Sequence, residues 1–157
     1  MGHDTWLTDA PDGSLGGVLS LRPDLAQRYD VLADRVWRAG VDPVLLELCR
    51  LRMAQLLGDA AGAAVRTPDA LAAGLSEQLV AHLDHWWEHP AFGEPERTAL
   101  AVAEQFVVDV HGVADEPFAR ITSALGAPGA VAFALGLALF DGQSRLRLAF
   151  ASPGGRS

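Results

Sequence analysis

A chain of 157 residues, half of them apolar, is long enough to bury one sizeable core without help from disulfides or metals. Its formal charge of -8, with no basic cluster, argues against nucleic acid or an anionic membrane as partner, since both reward grouped cations. All the cationic residues are arginine, so no lysine is present to form a Schiff base with a carbonyl substrate or pyridoxal phosphate. The single cysteine, Cys49, can form neither an intramolecular disulfide nor a dithiol pair, and a cytoplasmic location is expected. Residues 1–20 lack a basic region followed by an apolar core, so no secretory signal is expected. The longest apolar run, residues 129–140, is too short to span a bilayer and reads as a buried core helix.

Residues 1–20 are rich in Gly, Asp and Ser without a sustained period, and read as an arm or loop. From Pro23, Leu25, Tyr29, Leu32 and Val36 fall on one face of a helix that ends at Gly40. Asp42-Pro43 starts a second helix, Asp as cap and Pro at the first helical position, which runs to Gly58 with apolar residues on nearly every side. Asp59 caps a short alanine-rich helix. Thr67-Pro68 opens another that Gly74 closes. Ser76 caps a helix expected to reach Trp87, and His89-Pro90 starts a loop to Gly93. Residues 95–111 are helical again. Asp115 caps a helix ending at Gly126, and Pro128 opens a last one to about Phe150, with a bend allowed for near Gly142. Residues 152–157 are expected to be disordered. No segment alternates with period two, so the fold class is all-α, with about six to eight helices in a single domain over residues 21–150.

Several blocks follow one another in order: Leu21-Arg22-Pro23-Asp24-Leu25, Val36-Trp37-Arg38-Ala39-Gly40 and Asp42-Pro43 at the start, then residues 47–55 and Ala73-Gly74-Leu75-Ser76. Residues 86–92, 96–101 and 141–146 complete the set. Together they resemble the carboxymuconolactone decarboxylase and alkyl hydroperoxidase D superfamily. The resemblance implies an all-helical subunit that forms a homo-oligomer, usually a trimer or hexamer. It also implies a glutamate, here Glu47, followed twelve residues later by a Cys-x-x-Cys pair. Asp59 and Gly62 stand at the two cysteine positions, and Ala61 and Arg66 at the positions of the family's histidines. A thiol peroxidase needs a thiolate to attack the peroxide and usually a second thiol to resolve the sulfenic acid, which carboxylate and glycine cannot supply. Cys49 does not replace them, since burial and the neighbouring Glu47 both raise a thiol pKa.

The candidate catalytic set is therefore Glu47, Asp59 and Arg66: two carboxylates, one usable as acid or base, with Arg66 to grip a substrate carboxylate. The structural alternative pairs Glu47 with Arg66, Arg50 or Arg52 and leaves Asp59 only a helix cap. His82, His85 and His89, at i, i+3 and i+7, are weak metal candidates against the alternative of a wet helix end, and no cofactor is expected. The functional expectation is a non-redox family member doing acid-base chemistry on a small carboxylated or cyclic metabolite. The alternative is a catalytically silent oligomer that binds a ligand or a partner.

Overall fold

The computed structural model describes residues 5–151, and the tail 152–157 lies outside them. The helices are α1 (Leu15–Leu19), α2 (Pro23–Trp37), α3 (Pro43–Leu57), α4 (Ala60–Ala64), α5 (Pro68–Ala72), α6 (Glu77–Val80), α7 (Glu94–Val108) and α8 (Asp115–Phe150). Two short 3-10 turns join them, at Leu83–His85 and Val110–Gly112. Among the described residues the only strand-like contact is a single bridge between Thr5 and Ala151. The fold is all-α.

The centre of the molecule is α3, packed against α7 and α8, which also pack on each other. Its apolar residues surround it because it has helices on several sides: Leu46, Leu48, Leu51 and Met53 are all buried, as are Leu100, Phe133 and Leu137 opposite them. Each such side chain contributes about 1.5–3 kcal/mol relative to remaining in water. Both ends of α3 are fixed locally. The Asp42 carboxylate accepts the Val44 N–H at 2.9 Å, and Gly58 closes the helix at φ 73°. From there the Asp59 and Gly58 N–H groups return to the carbonyls of Ala54 and Gln55 at 2.9 and 3.1 Å. Helix α8 comes close to α2 and α3 at Gly136, where a Cβ would meet Val36 and Leu46 side chains at 3.3 and 3.4 Å.

Four sequence expectations are corrected. The stretch read as an arm or loop contains α1, capped by Ser14, whose hydroxyl accepts the Gly17 N–H at 3.0 Å. Its beginning is tied to the end of α8: the Thr5 hydroxyl donates to the Phe150 carbonyl at 2.8 Å and the Trp6 indole to that of Ala149 at 3.0 Å. The helix expected from Ser76 to Trp87 stops at Val80 and resumes as a 3-10 turn. Leu83 and Trp86, three apart and both buried, eclipse on one face of such a turn. The helix expected over residues 95–111 ends at Val108, and His111 lies in the following 3-10 turn, 3.4 Å from Asp109. The bend allowed for near Gly142 is absent, since the helix runs unbroken there; the break lies where expected, at Gly126 (φ 71°, ψ 168°), two residues before Pro128. Joined across that break, α8 is long and apolar enough to cross a membrane by length and composition, as residues 129–140 alone are not; it sits here against α2, α3 and α7.

Candidate functional site

Glu47 lies mid-way along α3 and is fully buried. Arg50, one turn on, grips it with two parallel hydrogen bonds, Nε to Oε2 and Nη2 to Oε1, both 2.8 Å. Thr67 donates twice more, from its backbone N–H to Oε1 at 3.0 Å and its hydroxyl to Oε2 at 3.1 Å. Arg50 in turn donates to the carbonyls of Gly62 and Val65 at 2.8 and 2.7 Å. A carboxylate offers about four lone-pair positions, and all four are occupied here. The network straps the end of α4 and the following turn to α3.

Asp59 follows the α3 stop and is 2% exposed. Its Oδ1 accepts the Gly62 N–H at 2.9 Å, capping α4, while Oδ2 accepts Arg147 from α8 at 2.7 and 2.8 Å. Burial pushes the Asp59 carboxyl pKa up, but the Arg147 hydrogen bond, the Gly62 N–H, Ser144 and the Arg147 charge outweigh it and leave the group below the usual carboxylate value. A Cβ at Gly62 would run into both the Asp59 carboxylate and the Arg147 guanidinium. That ion pair occupies the room any side chain at position 62 would need.

Arg66 turns away. It pairs with Glu77 at 2.8 and 3.1 Å and donates to the Ala63 carbonyl at 2.7 Å. The expected set of Glu47, Asp59 and Arg66 is thus not one cluster. Each member has its own ionic partner, and no hydrogen bond joins the two carboxylates among the described residues. Sequence reasoning missed Arg147 and the role of Thr67; the block 141–146, singled out for its resemblance, stops one residue short of Arg147.

Beside these pairs lies a cavity of about 780 Å³, within the range of small-molecule sites. Arg50, Asp59, Gln143 and Arg147 provide its polar wall, Trp37 and Leu148 part of its apolar one, and Gly13 to Leu15 border it from the N-terminal segment. Glu47 does not line it. The Tyr29 hydroxyl, buried near Gln143 and Arg147, makes no short hydrogen bond among the described residues, and burial raises its pKa, opposed by Gln143 and Arg147.

The weak metal candidates do not converge. His82 and His89 stack face to face at 3.9 Å, which keeps their ring nitrogens' lone pairs in separate, nearly parallel planes, while His85 turns to Asp84 at 3.4 Å and to Trp87. Among the described residues no group of three or more His, Cys, Asp or Glu is placed to hold a metal ion. Cys49 is fully buried, and burial pushes its thiol pKa far up.

The sequence profile of the carboxymuconolactone decarboxylase family matches residues 23–105, from the start of α2 to near the end of α7. The chain belongs to this family. In architecture it is similar to a protein of unknown function from Agrobacterium tumefaciens, described there as a candidate antioxidant defence protein AhpD. The crystal structure of that protein superposes with a TM-score of 0.75 at 20% identity, over 85% of this chain and 92% of the other. At that identity the likeness concerns the fold. No curated protein matches the sequence.

Proposed function

We propose that this chain is a non-redox member of the carboxymuconolactone decarboxylase family that holds a small carboxylated or cyclic metabolite in the cavity beside Asp59 and Arg147. The observation that carries the reading is the occupation of both thiol positions by an aspartate in an ion pair and a glycine whose missing side chain makes room for that pair. With Glu47 engaged at all four acceptor positions, binding rather than proton transfer is the activity the geometry favours. Arg147 is the group on which a ligand carboxylate would dock, competing with Asp59.

Acid-base chemistry at Glu47 is the second reading. Its support is that Arg50, which holds Glu47, borders the cavity, so a ligand anion drawing on Arg50 would free a Glu47 oxygen.

The test is a panel of small ring, lactone and open-chain carboxylates, titrated by calorimetry and then incubated and followed by NMR. Binding without turnover, weakened by Arg147→Gln, supports the first reading. Turnover lost in a Glu47→Gln variant that circular dichroism shows to be still folded, and that still binds the ligand, supports the second. Peroxide-dependent oxidation of a dithiol by the purified protein would sink both.

We propose further that copies of the chain assemble as a homo-oligomer through the outer face of α8. Val131 and Leu135, one turn apart, are 68% and 44% exposed there. Light scattering should give a trimer or hexamer, and Val131→Glu with Leu135→Glu should shift it to smaller species.

A further inference from the structure

A second cavity, sharing no lining residue with the first, opens between the starts of α7 and α8 and measures about 580 Å³. Its floor is aromatic: Trp86 and Phe92 are 8% and 2% exposed, and the Trp86 indole N–H is already spent on Glu104 at 2.8 Å. A smaller lobe of about 300 Å³ adjoins it through Glu94, Thr98 and Arg120 and adds the apolar side chains of Leu45, Ile121 and Leu125.

The ionic groups of this cavity divide into two sets. Arg120 bridges Glu94 and Glu116 at 2.6 Å each, so the rim they form carries one net negative charge. Arg97 stands apart. Among the described residues no ion pair joins it to a carboxylate; its Nη2 donates only to the His89 carbonyl at 3.2 Å, and its Nε is buried without an acceptor. A half-buried guanidinium without counter-charge is costly to hold, and its Nη groups, which make one hydrogen bond between them among the described residues, are the donors left for an anion in the cavity.

We propose that this cavity is a second ligand site, taking a small monocarboxylic acid whose carboxylate meets Arg97 and whose apolar body lies along Trp86 and Phe92 toward the smaller lobe. One unmatched cation beside a negative rim selects a single charge, because a dianion or a phosphate would meet Glu94 and Glu116 at close range. The two volumes lie in the range of small-molecule pockets, and the apolar walls favour a hydrocarbon or ring over a sugar. The proposal does not depend on the reading of the Asp59 cavity.

The test titrates the full chain by calorimetry with octanoate, beside octanol, which has the body without the charge, and inorganic phosphate, which has charge without the body. Octanoate is expected to bind saturably at one site, octanol at least tenfold more weakly, and phosphate not at all. Arg97→Gln should weaken octanoate about tenfold or more, as the loss of a hydrogen bond to a charged group does. Ala101→Leu, which fills the cavity from α7 without changing any charge, should also weaken it. If Arg97→Gln fails to fold by circular dichroism, the Ala101→Leu result decides alone. Absent saturable octanoate binding, octanol binding as tightly, or binding that survives these variants but falls with Arg147→Gln overturns the proposal.

Discussion

Arg147 reaches across 88 positions of sequence to set its Nη2 and Nε 2.7 and 2.8 Å from the same oxygen of Asp59. This contact closes α8 over the end of α3 and helps hold the pKa of Asp59, the one carboxylate lining the larger cavity, below its usual value. Because the folded pKa of Asp59 is depressed, the stabilisation it brings is present above the unfolded value of about 3.9 and is lost as pH falls through the lower folded value. Asp59→Asn should therefore be less stable than the parent by about 1–3 kcal/mol at pH 7, with the gap closing below about pH 4. Urea unfolding between pH 2.5 and 7 measures it, and a gap of constant size across that range would contradict the assignment.

The Gly62 position tests the same pair from the other side. Gly62→Ala should cost about 1–3 kcal/mol, because its methyl group forces Asp59 and Arg147 apart. In an Asp59→Gly background, where the carboxylate is gone, the same substitution should cost much less. A double-mutant cycle that came out additive would mean that Gly62 is constrained by something other than the ion pair.

Glu47 should behave as a structural partner of Arg50. Glu47→Gln leaves a buried guanidinium without its counter-charge and is expected to destabilise the fold by about 3–5 kcal/mol. Thr67→Val, which removes one neutral donor from the same carboxylate, should cost only about 1 kcal/mol. Chemical denaturation of the two variants gives the ratio; equal and small effects would argue that Glu47 is held loosely enough to work as a base.

Cys49 should be inert in the native protein. With no exposed surface and a thiol pKa pushed up by burial, it should react with a chromogenic disulfide reagent at neutral pH only after denaturant is added. Stoichiometric labelling within minutes under native conditions would show that the α3 environment opens.

Gly142 offers a stabilising change. It lies in unbroken helix, and a Cβ built there meets nothing within 4 Å, so Gly142→Ala should raise stability by about 0.5–1 kcal/mol through helix propensity alone. A lower melting temperature would point to that face being covered by another copy of the chain.

What the sequence disclosed follows the range of the interactions concerned. Asp42-Pro43 and Gly58 mark the ends of α3 because capping and left-handed closure act within four residues, and Gly126 with Pro128 marks the break in α8 for the same reason. Helix α1 escaped notice because Gly16 and Gly17 mask it; it forms through the Ser14 cap and packing on α2 and α8. At the site, local signals named Glu47 and Asp59 but not their partners. Arg50, Arg52 and Arg66 are equally plausible neighbours of Glu47 on paper. The side-chain geometry of α3 selects Arg50 and sends Arg52 to Glu104, while Arg66, in the turn after α4, pairs with Glu77. Arg147 has no local relation to Asp59 at all, since only the return of α8 across the core brings them together.

The bridge between Thr5 and Ala151 makes the two ends of the described chain neighbours, and Ala151 itself borders the larger cavity. Cargo fused close to either residue is therefore delivered to the mouth of that cavity, where it competes with ligand for space. A reporter dye placed there would sense occupancy directly. Joining Thr5 to Ala151 by a short linker and reopening the chain in the exposed stretch between α7 and α8 would move both termini, and any cargo on them, away from that mouth.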